Sequence, residues 1–467
     1  MSEKTNILYP VEILNRELDF RLFLSCLTAK KTNRIFIGQH DAIYRLMKHM
    51  RGGVYVGKNM FIRGNFPTTD LTRYGEIKQK GFIVIHLNEE GGFFSGDMEM
   101  HKTMLDLHLD PRVLAAEDRV CTWGDFQRDH YRSKDPKCRS HIETTGHPRF
   151  DILKPEKRAY FTPTVERLHA RLGDFILINT NLTFANNSLG VAHTFAKDSA
   201  YYSEEPVRRT DYLGAWACTG RIFPCFIELL NLLSIRFPET NIVLRPHPSE
   251  DFNFYKLVFK NVKNIHILHE GSVIPWLLAC KVLIHNGCTT AVEGTMVGAK
   301  VITYKPYSDM KYEMTLPNLV GVQCTTQEEV VDNVVKAFDS RWQEPSSSAF
   351  DQAASPILYN LHGDSFERLA KVIAEAEAES RQTPASFDRT SYRLTEAAHQ
   401  AVAEAKKLVR PFFSQKQRDY EALTGSGNFY GFDPADIREK LGHAQRILGI
   451  KVKLELFSRE MMSIESE

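Results

Sequence analysis

Two short stretches of this 467-residue chain carry groups suited to holding an anion. In Leu244-Arg245-Pro246-His247-Pro248-Ser249-Glu250, a histidine sits between two prolines directly after a run rich in β-branched residues. Pro246 and Pro248 stiffen the backbone on both sides of His247. An imidazole held this way can donate to a phosphate oxygen, and Arg245 would add a fixed positive charge. In Ile284-His285-Asn286-Gly287-Cys288-Thr289-Thr290-Ala291-Val292-Glu293-Gly294, an apolar run ends at His285, and Asn286 and Gly287 make a turn. Thr289 and Thr290 then stand where a helix begins. Backbone N–H groups not yet used by the helix, with two hydroxyls, form an anion site. The same residues also suit an ordinary helix cap. Glu293 lies about one turn on and could accept from a ribose or base. Together the loops read as a nucleotide mono- or diphosphate site, with Arg245, His247, Asn286, Thr289, Thr290 and Glu293 as nucleotide-binding residues.

A third stretch, Leu87-Asn88-Glu89-Glu90-Gly91-Gly92-Phe93-Phe94, sets adjacent carboxylates after an apolar strand and before two glycines. Gly91-Gly92 permits a tight turn that would aim one carboxylate at a ligand, with Glu90 the nearer to the glycines. A charged surface turn is the plain alternative. Asp125 and Asp129 share one helical face and could hold a metal, but a solvated helix start explains them more simply, and no metal is expected. H-E-x-x-H, Walker, G-x-G-x-x-G and nucleophile-elbow motifs are all absent from the sequence, so zincin, P-loop and hydrolase chemistries lack support.

The elements that must position these residues alternate in type. Residues 34–38, 54–57, 80–87 and 120–124 read as strands, several ending at glycine, and Ala42 to Met50 as a helix between the first two. After Pro148, Pro155 and Pro163 the rhythm restarts, with strands at 174–180, 240–246, 264–268, 281–285 and 299–304 and a helix from Ile222 to Phe237. Strand, glycine, helix is the mark of a parallel sheet covered by helices, whose ligands sit beyond the carboxyl ends of the strands. The expected architecture is α/β, with two Rossmann-like doubly wound domains facing a cleft: residues 1–155 for an acceptor, 156–343 for a nucleotide-linked donor. Residues 344–385 read as a crossover helix and linker. Residues 386–467 read as a helical extension, with Thr395 to Val409 amphipathic and Asp433-Pro434 opening a last helix.

A strand leading into His-Pro, followed about 40 residues later by Asn-Gly-x-Thr-Thr-Ala-x-Glu, resembles bacterial surface-polysaccharide glycosyltransferases of GT-B architecture. More specifically it is similar to capsule and O-antigen (lipopolysaccharide) enzymes that use CMP-activated sugars, the β-Kdo transferases among them and, more distantly, bacterial sialyl- and polysialyltransferases. The resemblance spans roughly residues 5 to 375. It implies that His247, Thr289 and Thr290 hold the CMP phosphate and that Glu89 or Glu90 is the acid/base for the acceptor. It implies transfer of Kdo or a related acidic sugar from a CMP donor to a glycan or lipid-linked glycan, with no cofactor and no metal. The retaining members of that group are thought to use an aspartate nucleophile, which no matching motif supplies; Asp151 and Asp211 stay open for it, and so do stereochemistry and sugar. A CDP-polyol phosphotransferase and a non-catalytic scaffold subunit of a polysaccharide assembly complex are the rival expectations.

Composition bounds these readings. With 59 Lys+Arg against 58 Asp+Glu, the net charge is +1, so bulk-charge coating of nucleic acid is not expected. The absence of an apolar run of 18 residues predicts no membrane span, and the polar Met1–Leu8 start has no signal-peptide core. Eight scattered cysteines without a CxxC pair fit reduced thiols in a cytoplasmic protein, with peripheral attachment to an inner membrane left open.

Overall fold

The computed structural model describes residues 4–58, 69–134, 141–197, 199, 204–339, 341–409 and 429–467. Two compact units divide the chain: Met1–Gly92, Lys102–Ile152 and Ser355–Glu467 form one, and Phe93–His101 with Leu153–Ala354 the other. The first passage of the chain supplies β1 (Thr5–Val11), β2 (Asn33–Gln39), β3 (Met50–Arg51), β4 (Gly53–Gly57), β5 (Phe82–Leu87), β6 (Arg119–Thr122) and β7 (Ile142–Thr144). The second unit is built from β8 (Phe175–Asn179), β9 (Asn241–Arg245), β10 (Ile265–Ile267), β11 (Val282–His285), β12 (Val301–Tyr304) and β13 (Val322–Cys324). The return passage adds β14 (Ser386–Phe387), β15 (Val452–Leu456) and β16 (Met461–Ser466). Both units are doubly wound α/β, as the strand and helix rhythm predicts.

In the first unit the sheet order is β15-β16-β2-β1-β4-β5-β6-β7. Within it β2, β1, β4, β5, β6 and β7 run parallel, β16 lies antiparallel on β2, and β3 pairs antiparallel with β14 in a separate two-stranded sheet. The parallel strands are apolar on both faces, as helix-covered strands must be. β1 is a central strand with all seven residues buried, although its sequence reads as a polar start. Pro10 is tolerated because pairing with β4 covers only Asn6–Leu8. The next helix, Leu14–Thr28, is buried nearly all round, so it shows no apolar stripe to announce it.

The 386–467 segment carries the expected helices, Arg389–Val409 and Pro434–Leu448. It also carries the β15–β16 hairpin, which the helical reading lacked. That hairpin joins the segment to the first unit instead of leaving it as an extension. The stop expected at Pro411 lies outside the described residues.

In the second unit all six strands are parallel, in the order β10-β9-β8-β11-β12-β13. The direction of winding reverses between β8 and β11, which makes their carboxyl ends the crevice where such sheets bind ligands. The helix expected from Ile222 begins sixteen residues earlier and runs Pro206–Arg236. Gly214, Gly220 and Pro224 had masked its periodicity. Among the described residues it is the one helix with the length and apolar composition to cross a membrane. Its Cys218, Ile222, Phe226, Leu229, Leu230 and Leu233 nevertheless pack in the unit's core with Ile176, Ile242 and Ile284. The seven described cysteines are free thiols; Cys138 lies outside the described residues.

Candidate functional site

The carboxyl end of β8 joins the two anion-type loops of the second unit. Asn179 Nδ2 donates to Thr290 Oγ1 at 2.8 Å, and Asn181 Nδ2 donates to the Gly287 carbonyl at 3.3 Å. Thr183 Oγ1 lies 3.2 Å from His247 Nδ1. Residues 179–183 therefore touch the 287–290 loop with one set of side chains and the His-Pro loop with the other. The His-Pro loop is held by Glu250, which is buried. Its carboxylate accepts from the Thr180 hydroxyl (2.9 Å), the Leu182 N–H (3.0 Å), the His247 N–H (3.1 Å) and the Tyr255 hydroxyl (2.5 Å). Burial pushes the Glu250 carboxyl up, and these donors oppose the push. His247 Nδ1 also accepts from the Ser249 N–H at 3.2 Å, which assigns the ring proton to Nε2. His247 itself is exposed.

On the facing loop, Gly287 adopts φ +59°, a conformation that favours glycine. Its N–H donates to Asn318 Oδ1 at 2.7 Å. The helix Thr290–Val297 follows, with Thr289 at its N-cap making no side-chain cap hydrogen bond. Glu293 is buried in the first turn. Asn286 and Arg245 are drawn into the fold. Asn286 Nδ2 donates to the Tyr304 carbonyl at 2.8 Å. The Arg245 guanidinium donates to the carbonyls of Glu270 (2.9 Å) and Gly271 (3.2 Å) and lies over the Trp276 ring. Burial brings Arg245 down to about 10.

In the first unit, Glu89 and Glu90 follow β5 in very different surroundings. Glu89 is fully buried, 3.2 Å from His147 Nε2 and 3.6 Å from Arg21 Nη2. His147 Nδ1 accepts from the Arg149 N–H, so the proton on Nε2 faces the carboxylate. Burial alone would raise Glu89, but His147 and Arg21 outweigh it and hold the carboxyl well below the usual range. Glu17 shares the cluster and accepts from the N–H groups of Glu12 and Ile13 at 3.1 Å each. Burial and the neighbouring Glu89 charge push Glu17 up to about 8. Glu90 is partly exposed and bonded to Arg16 at 2.5 Å. That contact overrides the upward push of burial and lowers Glu90.

The two glycines serve a purpose other than the expected turn. Neither takes a positive φ. A Cβ at Gly91 would fall 2.4 Å from Trp123 Cδ1, and one at Gly92 2.7 Å from Trp123 Cε3. Their role is to let the indole pack against bare backbone while its Nε1 donates to the Asn88 carbonyl at 2.7 Å.

The aspartates open for a nucleophile are engaged elsewhere. Asp151 is buried at the start of helix Ser365–Ser380, accepting from the N–H groups of Ser365 and Phe366 and from Asn360 Nδ2. Asp211 pairs with Lys311. Asp125 accepts from Arg128 and from the Thr144 hydroxyl, and Asp129 from Arg128.

Glu250, the 179–183 loop and the Glu17–Arg21–His147 group were not assigned from sequence. Glu250 closes the His-Pro motif itself, and a carboxylate between prolines and a helix was the available signal. The others meet only through long-range folding.

No protein-family model matches the chain, and no curated protein matches it. Among solved structures it is similar to the wall teichoic acid polymerase TagF, at 11% identity and TM-score 0.48, covering 80% of this chain and 89% of that one. It is also similar to the UDP-GlcNAc 2-epimerase of Methanocaldococcus jannaschii, at 13% identity and TM-score 0.43, covering 80% of this chain and 99% of that one.

Proposed function

We propose that this chain is a transferase of surface-polysaccharide assembly with GT-B architecture, taking a sugar from a nucleotide-linked donor and passing it to a glycan acceptor. The donor is CMP-linked, and the sugar is Kdo or a related acidic sugar. The observation that carries this is the 179–183 loop, which touches both the His247 loop and the Thr289–Thr290 helix start at the winding reversal of the second sheet. The imidazole Nε2–H and the two threonine hydroxyls are donors suited to the charge that grows on a departing phosphate, whereas the Ala291 and Val292 N–H groups already donate to the Cys288 and Thr289 carbonyls. With those donors in place, no metal ion is required. The acceptor is assigned to the first unit, with Glu90 as the acid/base and Glu89 as the alternative.

A second chemistry is favoured by one observation. Asp151 and Asp211 both have fold partners, which suits phosphoryl transfer from a CDP-linked polyol better than a double displacement through an aspartate. Incubation with CMP-, CDP-, UDP- and GDP-linked donors distinguishes the two, read as thermal stabilisation and donor consumption. CMP-sugar turnover supports the glycosyltransferase, and CDP-polyol turnover alone supports the phosphotransferase. Neither stabilisation nor turnover with any donor leaves the scaffold reading.

A further inference from the structure

The amino-terminal edge of the first sheet, where β4 and β5 begin, holds a cavity of about 470 Å³ that the proposed reaction does not use. Lys48, His49, Arg51, Lys80, Asp388 and Ser391 line it. Its volume falls within the roughly 300–1,000 Å³ of small-molecule pockets. Among the described residues, Lys48, Arg51 and Lys80 make no ion pair, whereas nearby Arg45 holds both Glu396 and Glu460. Asp388 is the one carboxylate in the lining, and its Oδ1 accepts from the Ser391 N–H at 2.9 Å. One carboxylate against three cations leaves a positive surplus before His49 is counted.

The backbone beneath these cations is pinned. Met50 and Arg51 pair antiparallel with Phe387 and Ser386. The buried Asn6 carboxamide donates to the carbonyls of Arg51 (3.2 Å), Gly52 (3.3 Å) and Ser386 (3.1 Å). The Asp388 N–H donates to the His49 carbonyl at 2.9 Å, and His49 Nδ1 lies 3.0 Å from the Ser391 hydroxyl. Like charges gathered without partners repel one another, so a fold that holds them on a fixed floor is preorganised for an anion.

We propose that this cavity binds a doubly charged phosphoryl group. Arg51 offers a planar fork, Lys48 and Lys80 are point charges, and the Ser391 hydroxyl is a further donor. The source is inorganic phosphate or a small phosphate monoester. The test titrates inorganic phosphate and glucose 6-phosphate calorimetrically into the full chain, its Arg51→Gln/Lys80→Gln variant and its His247→Ala variant. Both substituted cavity residues reach solvent, so the double variant keeps the fold. Binding in the wild type that falls about tenfold or more in the double variant, while CMP affinity stays unchanged and His247→Ala leaves phosphate binding intact, is the expected result. A tighter monoester identifies the monoester as the source, and equal affinities identify free phosphate. No binding up to millimolar concentrations, equal phosphate affinity in wild type and double variant, or loss through His247→Ala overturns the proposal.

Discussion

Glu17 and Glu89 share one buried space and take opposite charge states. Glu89 is ionised against His147 and Arg21, so Glu17 keeps its proton up to about 8. Glu17 therefore binds a proton in the folded chain that the unfolded chain releases near its ordinary value. The resulting stability is complete in mild acid and is lost as pH rises through about 8. Buried His40, His86 and His285 are held well below the ordinary histidine value by desolvation and work in the opposite sense up to about pH 6.5, so thermal melts between about pH 7 and 9 should show the Glu17 decline. Glu17→Gln should flatten it, and melts of wild type and variant that coincide across that range contradict the assignment. Replacing Glu89 by alanine strands the buried Arg21 without its counter-charge and the His147 Nε2–H without its acceptor, and should cost about 3–5 kcal/mol in denaturant unfolding. Glu90→Gln should leave stability near wild type and donor affinity unchanged, yet cut transfer by about 10²-fold or more. A full transferase rate in Glu90→Gln removes it as the acid/base. The residue types in these sites were legible in the sequence, but their partners were not. Arg21, His147 and Glu89 come from three separate elements, and nothing local in any of them announces the other two.

At the scale of elements, the runs of β-branched residues were legible because parallel strands under helices are apolar on both faces. β4, β5, β6, β8, β9, β11 and β12 fall within a few residues of their expected spans. β1 was hidden by its polar start and Pro10, and Leu14–Thr28 by burial on every side. The β15–β16 hairpin did carry a signal: Val452, Leu454 and Leu456 alternate with Lys453 and Glu455. Met461, Met462 and Ile464 are fully buried on the β2 edge, while on β15, at the sheet edge, Lys453 is exposed and Glu455 pairs with Arg389 and Arg393. Deleting residues 450–467 should uncover β2 and its apolar neighbours. The truncated chain is expected to lose its cooperative melt and aggregate in size-exclusion chromatography. A monomeric, cooperatively melting truncation would show that the hairpin is dispensable.

At the scale of the molecule, a net charge of +1 supplies no global field, so recognition rests on local sites. The strand order of the second unit directs attention to the carboxyl ends of β8 and β11, and the 179–183 loop brings both sequence motifs there. That convergence could not be read from sequence, because residues 179–183 and 247 belong to different strand ends and meet only once the sheet order is known. This edge of the second sheet is the proposed nucleotide site. It is tested most directly by calorimetric titration of CMP into the wild type and into folded His247→Ala. CMP is expected to bind the wild type and to lose about 1.5–3 kcal/mol in the variant, the scale of a hydrogen bond to a charged group. Equal affinity in the two, or no CMP binding to either, would contradict it.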